Sequence, residues 1–161
     1  MSKVAINNCY GGFGLSFKAM DMLYRLKHPE ANHGLYAYIA EMGSDYKSYI
    51  YKRIDNFEND LQKRSMIECA TIKDFGAEIE REMYAEDEFS EYTIYDSELY
   101  SSRHDPDLIK VIEELGSEEA SDRFAEIRIV DIGDNKMYRI HEYDGLESVE
   151  VYPGDGWISI N

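Results

Sequence analysis

The sequence predicts a single α+β domain over residues 1–161, in which a small, mostly antiparallel sheet with a C-terminal β-meander packs against three to four helices. A length of 161 residues matches one domain, and a hydrophobic fraction of 43% is typical of globular proteins. Segments with the three- and four-residue spacing of helices are followed by alternating segments near the C terminus. No repeat, low-complexity linker or Pro-rich hinge divides the chain.

The N-terminal part begins with a predicted strand and helix. KVAIN (Lys3–Asn7) is apolar and β-branched, as strands are. Ser16 is the expected N-cap of the helix FKAMDMLYRLK, whose apolar residues recur at helical spacing. We expect this helix to end at His28-Pro29, because the residue before a proline avoids the α region.

The middle of the chain carries mixed signals. Residues 31–45 fit either a strand or a short helix. From a cap at Ser44 or Asp45, apolar side chains recur at three- and four-residue intervals and predict an amphipathic helix to about Arg64. The remaining predictions are a strand over residues 65–72, a helix over residues 74–84 and a short strand at YTIYD (Tyr92–Asp96).

The C-terminal part has the clearest local signals. Asp105 is the expected N-cap of a helix, Pro106 its first residue and Gly116 its end. A strand follows at AEIRIVDI (Ala125–Ile132), then KMYRIHEY and LESVEVY flank the turn Asp144-Gly145. These strands form the predicted meander, which we expect to join the sheet of the first strand.

The charge of the chain is unevenly distributed. Its formal net charge is −16, yet residues 1–73 carry 10 Lys/Arg and 8 Asp/Glu, whereas residues 74–161 carry 7 and 25. Such a field repels nucleic acid and attracts basic protein surfaces. Two cysteines, Cys9 and Cys69, in a chain that starts without an export signal predict free thiols in a reducing cytoplasm. No apolar run approaches the length that crosses a bilayer, so no membrane contact is expected.

The segment Glu78–Glu98 is the most acidic part of the chain. It holds nine acids and one base, Arg81, together with interleaved aromatic residues. Acids at this density repel one another, so the segment must be solvated or must face a basic partner. The residues predicted to contact that partner are Glu80, Glu82, Glu86, Asp87, Glu88, Phe89, Glu91, Tyr92, Tyr95, Asp96 and Glu98.

The stretch CYGGFGLS (Cys9–Ser16) has two interpretations. A glycine-rich turn before a helix exposes backbone amides that suit a phosphate. Its spacing matches neither the dinucleotide fingerprint nor the lysine-containing phosphate loop, and Lys18 lies inside the helix. The alternative, a tight turn that lets the strand and helix pack closely, is favoured.

Two further motifs carry polar side chains at the ends of predicted elements, where pockets form. RHDP combines an anion-binding Arg103 with His104, although capping alone explains Asp105. HEYDG places acids beside a hairpin turn, without the spacing of a metal site. We predict no catalytic set, metal or cofactor. The candidate ligand pocket consists of Tyr10, Gly11, Gly12, Gly14, Ser16, Arg103, His104, Asp105, Glu142 and Asp144.

The motifs VAINNCYGGFGLS, RHDPDLIKVIEELGSEEAS, AEIRIVDI and YRIHEYDGLESVEV resemble, in this order, a family of small, largely uncharacterised proteins encoded by tailed bacteriophages and prophages. The resemblance covers residues 3–27 and 102–151; residues 28–101 and the tail from Tyr152 depart from it. It implies phage origin and action in the cytoplasm of a bacterial host, and it brings no activity with it.

Together these observations predict a non-enzymatic phage protein that inhibits a host defence factor, of the anti-CRISPR or anti-restriction type. Its acidic face would mimic nucleic acid and occupy the basic nucleic-acid-binding surface of a host protein, without binding nucleic acid itself. The alternative is a small-molecule binder, such as a sponge for a nucleotide signal, that uses the glycine-rich turn and Arg103.

Overall fold

A computed structural model describes residues 2–56, 66–135, 137–152 and 156–160. Its strands are β1 (Ser2–Asn7), β2 (Tyr36–Met42), β3 (Ser48–Ile54), β4 (Cys69–Thr71), β5 (Glu78–Glu82), β6 (Thr93–Ile94), β7 (Ile127–Gly133), β8 (Met137–Tyr143), β9 (Leu146–Val151) and β10 (Ile158–Ser159). Its helices are α1 (Phe17–Lys27), α2 (Glu88–Tyr92), α3 (Pro106–Leu115) and α4 (Ser117–Ala120), with a 3₁₀ turn at Asp96–Glu98. All strand pairs are antiparallel, and the predicted α+β class is confirmed.

The pair β1–β7 lies at the centre of the molecule. Alternate side chains of β1 point to opposite faces of the pair. Ala5 and Ile127 face α1, α3 and α4 in the larger core, where Leu23 and Leu108 are fully buried. Residues of the other face, Val4 among them, pack on the β10–β8–β9 sheet in a second core. The predicted meander is therefore divided, because β8 pairs with β9 whereas β7 pairs with β1.

A five-stranded sheet with the order β5–β3–β2–β4–β6 makes up the rest of the described fold. Ala70 on β4 and Ile94 on β6 pack against the larger core. The opposite face of the sheet carries Tyr38 and Tyr51, whose rings contact Phe89 of α2. Many of the tyrosines that enrich the sequence therefore cover this outer face, where a ring is buried while its hydroxyl reaches a polar partner.

The local signals for helix ends are confirmed. Ser16 caps α1 by accepting a hydrogen bond from the backbone N–H of Ala19. Asp105 caps α3 by accepting from the N–H of Asp107, Pro106 is the first helical residue, and Gly116 follows the last one. Each cap satisfies backbone groups at a helix end that have no partner inside the helix.

Two predicted helices are wrong. Residues 48–54 form strand β3 within the predicted helix 45–64, of which residues 57–64 lie outside the described part of the chain. Residues 78–82 form strand β5 within the predicted helix 74–84. Both faces of β3 are partly covered, so its apolar residues do not alternate with polar ones. Some of them therefore recur at intervals of three and four residues, which is the spacing that predicts a helix. The ambiguous stretch 31–45 contains strand β2.

None of the helices in the described ranges combines the length and the apolar character that a membrane crossing requires.

Candidate binding surfaces

The acidic residues of β5 lie on one face of an edge strand. Glu78, Glu80 and Glu82 are exposed, whereas Ile79 and Arg81 between them are partly covered. Arg81 contacts α2, so the three glutamates point to the opposite face of the sheet. Charged side chains on an edge also discourage pairing with a second sheet, which gives these residues a structural role as well.

Helix α2 is held against the sheet by Asp87 and Arg81. Asp87 caps the helix by accepting from the N–H of Ser90, and it accepts 2.7 Å and 2.9 Å hydrogen bonds from the Arg81 guanidinium. The hydrogen bond from Arg81 lowers the pKa of Asp87 to about 2. The Arg81 guanidinium also lies 4.4 Å from the centre of the Phe89 ring. Asp87 therefore stabilises the attachment of α2 to the sheet and is not only a surface charge.

Phe89, a predicted partner contact, is buried. Only 2% of its surface is exposed, and its ring contacts those of Tyr38, Tyr51 and Phe75. As the one fully covered side chain of the short helix α2, it attaches that helix to the sheet. A partner cannot reach Phe89 while α2 keeps this position, and this prediction is corrected.

Several of the predicted contact residues do reach solvent around α2. Glu86 and Glu91 are exposed and form no ion pair with another described residue, whereas Glu88 pairs with Lys73. Glu82 is also exposed, but it points to the opposite face of the sheet. Tyr84, in the loop that enters α2, is 94% exposed. We call Tyr84, Glu86, Glu88, Glu91 and Tyr92 the α2 surface.

The end of the acidic segment lies at the other edge of the sheet. Tyr95 is 66% exposed and follows the edge strand β6, about 19 Å across five strands from β5. Asp96 accepts the backbone N–H of Leu15 at 3.0 Å, and Glu98 accepts that of Tyr95 at 2.7 Å. The eleven predicted contact residues thus occupy two sheet edges, with α2 between them.

One exposed tyrosine escaped the sequence analysis. Tyr46, in the β2–β3 turn, is 78% exposed, and Met42 beside it is 47% exposed. The hydrogen bond from Met83 N–H to the Lys47 carbonyl brings this turn to the end of β5 that leads to Tyr84. Gly43-Ser44-Asp45 precedes Tyr46 and is a turn signal, although the apolar spacing that follows predicts a helix start there.

The glycine-rich turn packs closely against its neighbours. A Cβ at Gly11 would lie 1.7 Å from the carbonyl oxygen of Phe124, and one at Gly14 would lie 2.0 Å from the Asp122 carboxylate. A Cβ at Gly145 of the predicted hairpin turn would lie 2.5 Å from the Tyr10 carbonyl oxygen. These contacts support the tight-turn interpretation. In addition, the backbone N–H of Leu15, which could have bound a phosphate, already donates to the Asp96 carboxylate.

Arg103 makes an internal ion pair instead of an open anion site. Its guanidinium donates two hydrogen bonds, of 2.7 Å and 3.0 Å, to the carboxylate of Glu147. It lies 3.6 Å from the centre of the Phe13 ring and also donates to the Ala5 carbonyl. Glu147 is 8% exposed and accepts the backbone N–H of Asn7 at 2.8 Å. The charge that a nucleotide would need is therefore already neutralised.

Three other residues of the candidate pocket, His104, Asp105 and Glu142, have structural partners. His104 Nδ1 lies 2.7 Å from the Tyr138 hydroxyl, and Asp105 accepts hydrogen bonds of 2.8 Å and 3.0 Å from Lys27 Nζ. Burial opposes ionisation of Asp105, yet the hydrogen bond from Lys27 and those from backbone amides lower its pKa. Glu142 accepts the N–H of Gly145, and Asp144 has a positive φ of 50° in the turn.

The three family-like motifs do meet, around a residue that sequence reasoning missed. The side-chain amide of Asn7, fully buried, donates to the carbonyls of Cys9 and Gly145 at 2.7 Å and 2.8 Å. Its oxygen accepts the N–H of Glu126. A polar residue at the end of an otherwise apolar strand was the available signal, because a buried amide must find several partners.

Among the described residues, no three His, Cys, Asp or Glu side chains are grouped in a way that could hold a metal ion. No protein-family model, curated protein or solved structure matches the chain. The resemblance to phage proteins accordingly stays a prediction.

Proposed function

We propose that this chain is a non-enzymatic binding protein that inhibits a bacterial defence factor by occupying its basic, nucleic-acid-binding surface. The observation that carries the proposal is the α2 surface, where Glu86 and Glu91 lack a cationic partner in the described structure and Tyr84 is 94% exposed. Unpaired carboxylates next to exposed tyrosines match the composition that a basic groove selects.

The physical basis is replacement of phosphates by carboxylates. A groove lined with Lys and Arg gains binding free energy from any dense, fixed array of negative charge. The exposed acids of the α2 surface supply such an array on a helix that Phe89 and the Arg81–Asp87 pair hold in place. Little conformational entropy is then lost on binding, because the charges are already held in position.

The exposed tyrosines add contact area beyond the charge. Tyr84, Tyr92 and Tyr95 are 94%, 36% and 66% exposed. An aromatic ring that leaves water in the centre of an interface contributes a large share of the binding free energy at a low cost in conformational entropy. Carboxylates would thus direct association and tyrosines would slow dissociation.

The target class follows from the charge and from the resemblance to phage proteins. A protein of net charge −16 repels nucleic acid, so the partner is a protein, and inside a bacterium the basic grooves that oppose a phage belong to CRISPR effector nucleases and restriction enzymes. We therefore predict that the protein inhibits such an enzyme by competing with DNA or RNA for one surface.

The experiment is capture of the tagged protein from a bacterial lysate that contains such nucleases, with and without added DNase and RNase. We expect a nuclease-type protein to be retained in both samples and its cleavage activity to fall. The variant Glu86→Gln/Glu88→Gln/Glu91→Gln should weaken binding at least about 100-fold at low salt, since each lost charge pair contributes about 1 kcal/mol or more. Asp87 is left intact because it caps α2.

The matched control is Glu30→Gln/Glu114→Gln/Asp134→Asn, which removes the same charge from exposed positions elsewhere. It should bind like the unmodified protein. Equal affinity of the two triple variants would refute a role for the α2 surface, and loss of the partner on nuclease treatment would show that nucleic acid bridges the two.

A further inference from the structure

A cleft separates the glycine-rich turn from the five-stranded sheet. Its volume is about 550 Å³, which lies within the usual range for sites of small molecules. One wall is the segment from Phe13 to Met20, a second is formed by β4 and β6, and a third is the segment from Glu118 to Phe124. Only Gly14 and Ser16 of the predicted ligand pocket line it.

The interior of the cleft is largely apolar. Leu15 and Ala70 are 4% and 3% exposed, and the half-covered side chains of Phe17, Met20 and Ile94 lie beside them. An apolar surface of this kind favours a ligand with an aliphatic or aromatic body, because such a body leaves water on entry.

Two carboxylates lie at the rim of the cleft beside the turn. Asp96 accepts the N–H of Leu15, and the Asp122 carboxylate lies directly over Gly14. Asp122 also accepts the N–H of Phe124 at 2.9 Å. Within the described chain, neither carboxylate forms an ion pair with a basic side chain. Burial, with a smaller contribution from the charge of Asp96, raises the pKa of Asp122, while hydrogen bonds from backbone amides and the charge of Arg123 oppose that rise.

The sign of the charge around the cleft excludes the ligand that the glycine-rich turn first suggested. Among the described residues that line it, five are acidic and two, Lys18 and Arg123, are basic. This excess of acidic side chains repels an anion, and the Leu15 amide already binds the Asp96 carboxylate. A cation near Asp96 and Asp122 would relieve their mutual repulsion while its body fills the apolar interior.

We propose that this cleft binds a small organic cation, an amine with an aromatic or aliphatic body, whose ammonium group is held by Asp96 and Asp122. The site is distinct from the α2 surface, because the cleft lies at the β4–β6 side of the sheet and faces α1. The proposal does not depend on the proposed inhibitory function.

The test compares three probes of nearly equal size: 2-phenylethylamine, 2-phenylethanol and phenylacetate, titrated into the full chain by calorimetry and by amide NMR. We expect the amine to bind with a Kd of about 1 mM or tighter, the alcohol at least about tenfold more weakly, and phenylacetate not to bind. The amine should shift the amide signals of Leu15, Ile94 and Phe124.

Two single variants complete the test. Asp122→Asn should reduce amine affinity to that of the alcohol, while Glu86→Gln on the α2 surface should leave it unchanged. If Asp122→Asn does not fold, the three-probe comparison on the unmodified protein still decides. Equal binding of amine and alcohol, or amide shifts located outside the cleft, would overturn the proposal. Loss of nuclease capture in the Glu86/Glu88/Glu91 variant would bear on the proposed function alone, because none of these residues lines the cleft.

Discussion

Removal of the Glu147 carboxylate tests whether the Arg103–Glu147 pair holds the three motifs together. In Glu147→Ala the Arg103 guanidinium keeps its position over Phe13 but loses both hydrogen bonds to a carboxylate. The backbone N–H of Asn7 loses its acceptor at the same time. Two buried donors are therefore left without partners by one substitution.

The size of the effect follows from burial. The side chains of Arg103 and Glu147 are 21% and 8% exposed, so little water can replace the lost contacts. Breaking a buried pair by removing one partner costs about 3–5 kcal/mol. For a chain of this length, that corresponds to a fall in Tm of roughly 10 °C. The exposed pair of Glu41 and Lys52 provides the comparison: it has a distance of 3.0 Å, and its side chains are 54% and 43% exposed. Glu41→Ala should therefore lower the free energy of unfolding by less than about 1 kcal/mol.

Urea unfolding followed by circular dichroism measures both variants, with the free energy of unfolding taken from the midpoint at constant slope. Adding Arg103→Met to Glu147→Ala should recover at least about 1 kcal/mol, because it removes the uncompensated charge. If Glu147→Ala costs no more than Glu41→Ala, or if the second substitution recovers nothing, the assigned role of the pair is wrong.

Two further predictions concern the glycine-rich turn and the cysteines. Gly11→Ala should lower the free energy of unfolding by more than about 2 kcal/mol, because its Cβ would meet the Phe124 carbonyl. Gly12→Ala should lower it by only about 1–2 kcal/mol, because Gly12 has a φ of +92° but open space around it. Equal losses of the two variants in thermal unfolding would contradict the packing described. Burial raises the pKa of Cys69 to about 12, so at pH 8 only about one thiol in 10,000 is ionised. Iodoacetamide should therefore modify Cys69 far more slowly in the folded protein than in urea, although its side chain is partly exposed. Equally rapid labelling in both conditions, read by mass spectrometry, would contradict the raised pKa.

The sequence reveals which residue types make up the candidate site, but not which of them the fold exposes. The acidic segment and its tyrosines stand out in the sequence, and Glu86, Glu91 and Tyr84 do reach solvent. Phe89 has the same neighbours in sequence, yet it is buried, because α2 lies on a face of the sheet and needs one apolar side chain to attach it. Nothing local to the segment identifies which aromatic residue takes that position.

Local sequence is sufficient to predict the features that depend on neighbours three or four residues apart. The caps at Ser16 and Asp105, the end of α3 at Gly116 and the turn at Gly145 each use donors and acceptors within one helical turn or one hairpin. The uneven distribution of charge is likewise a property of composition, and it holds whatever the chain's conformation.

Long-range packing selects which segments form strands and which polar groups contact one another. β3 and β5 are strands because each pairs with a neighbour in the sheet, a stabilisation that no window of the sequence contains. Arg103 and Glu147 are 44 residues apart, and Asn7 and Gly145 are 138 apart. Burial makes an unpaired polar group costly, so these distant groups are partners once packing brings them together.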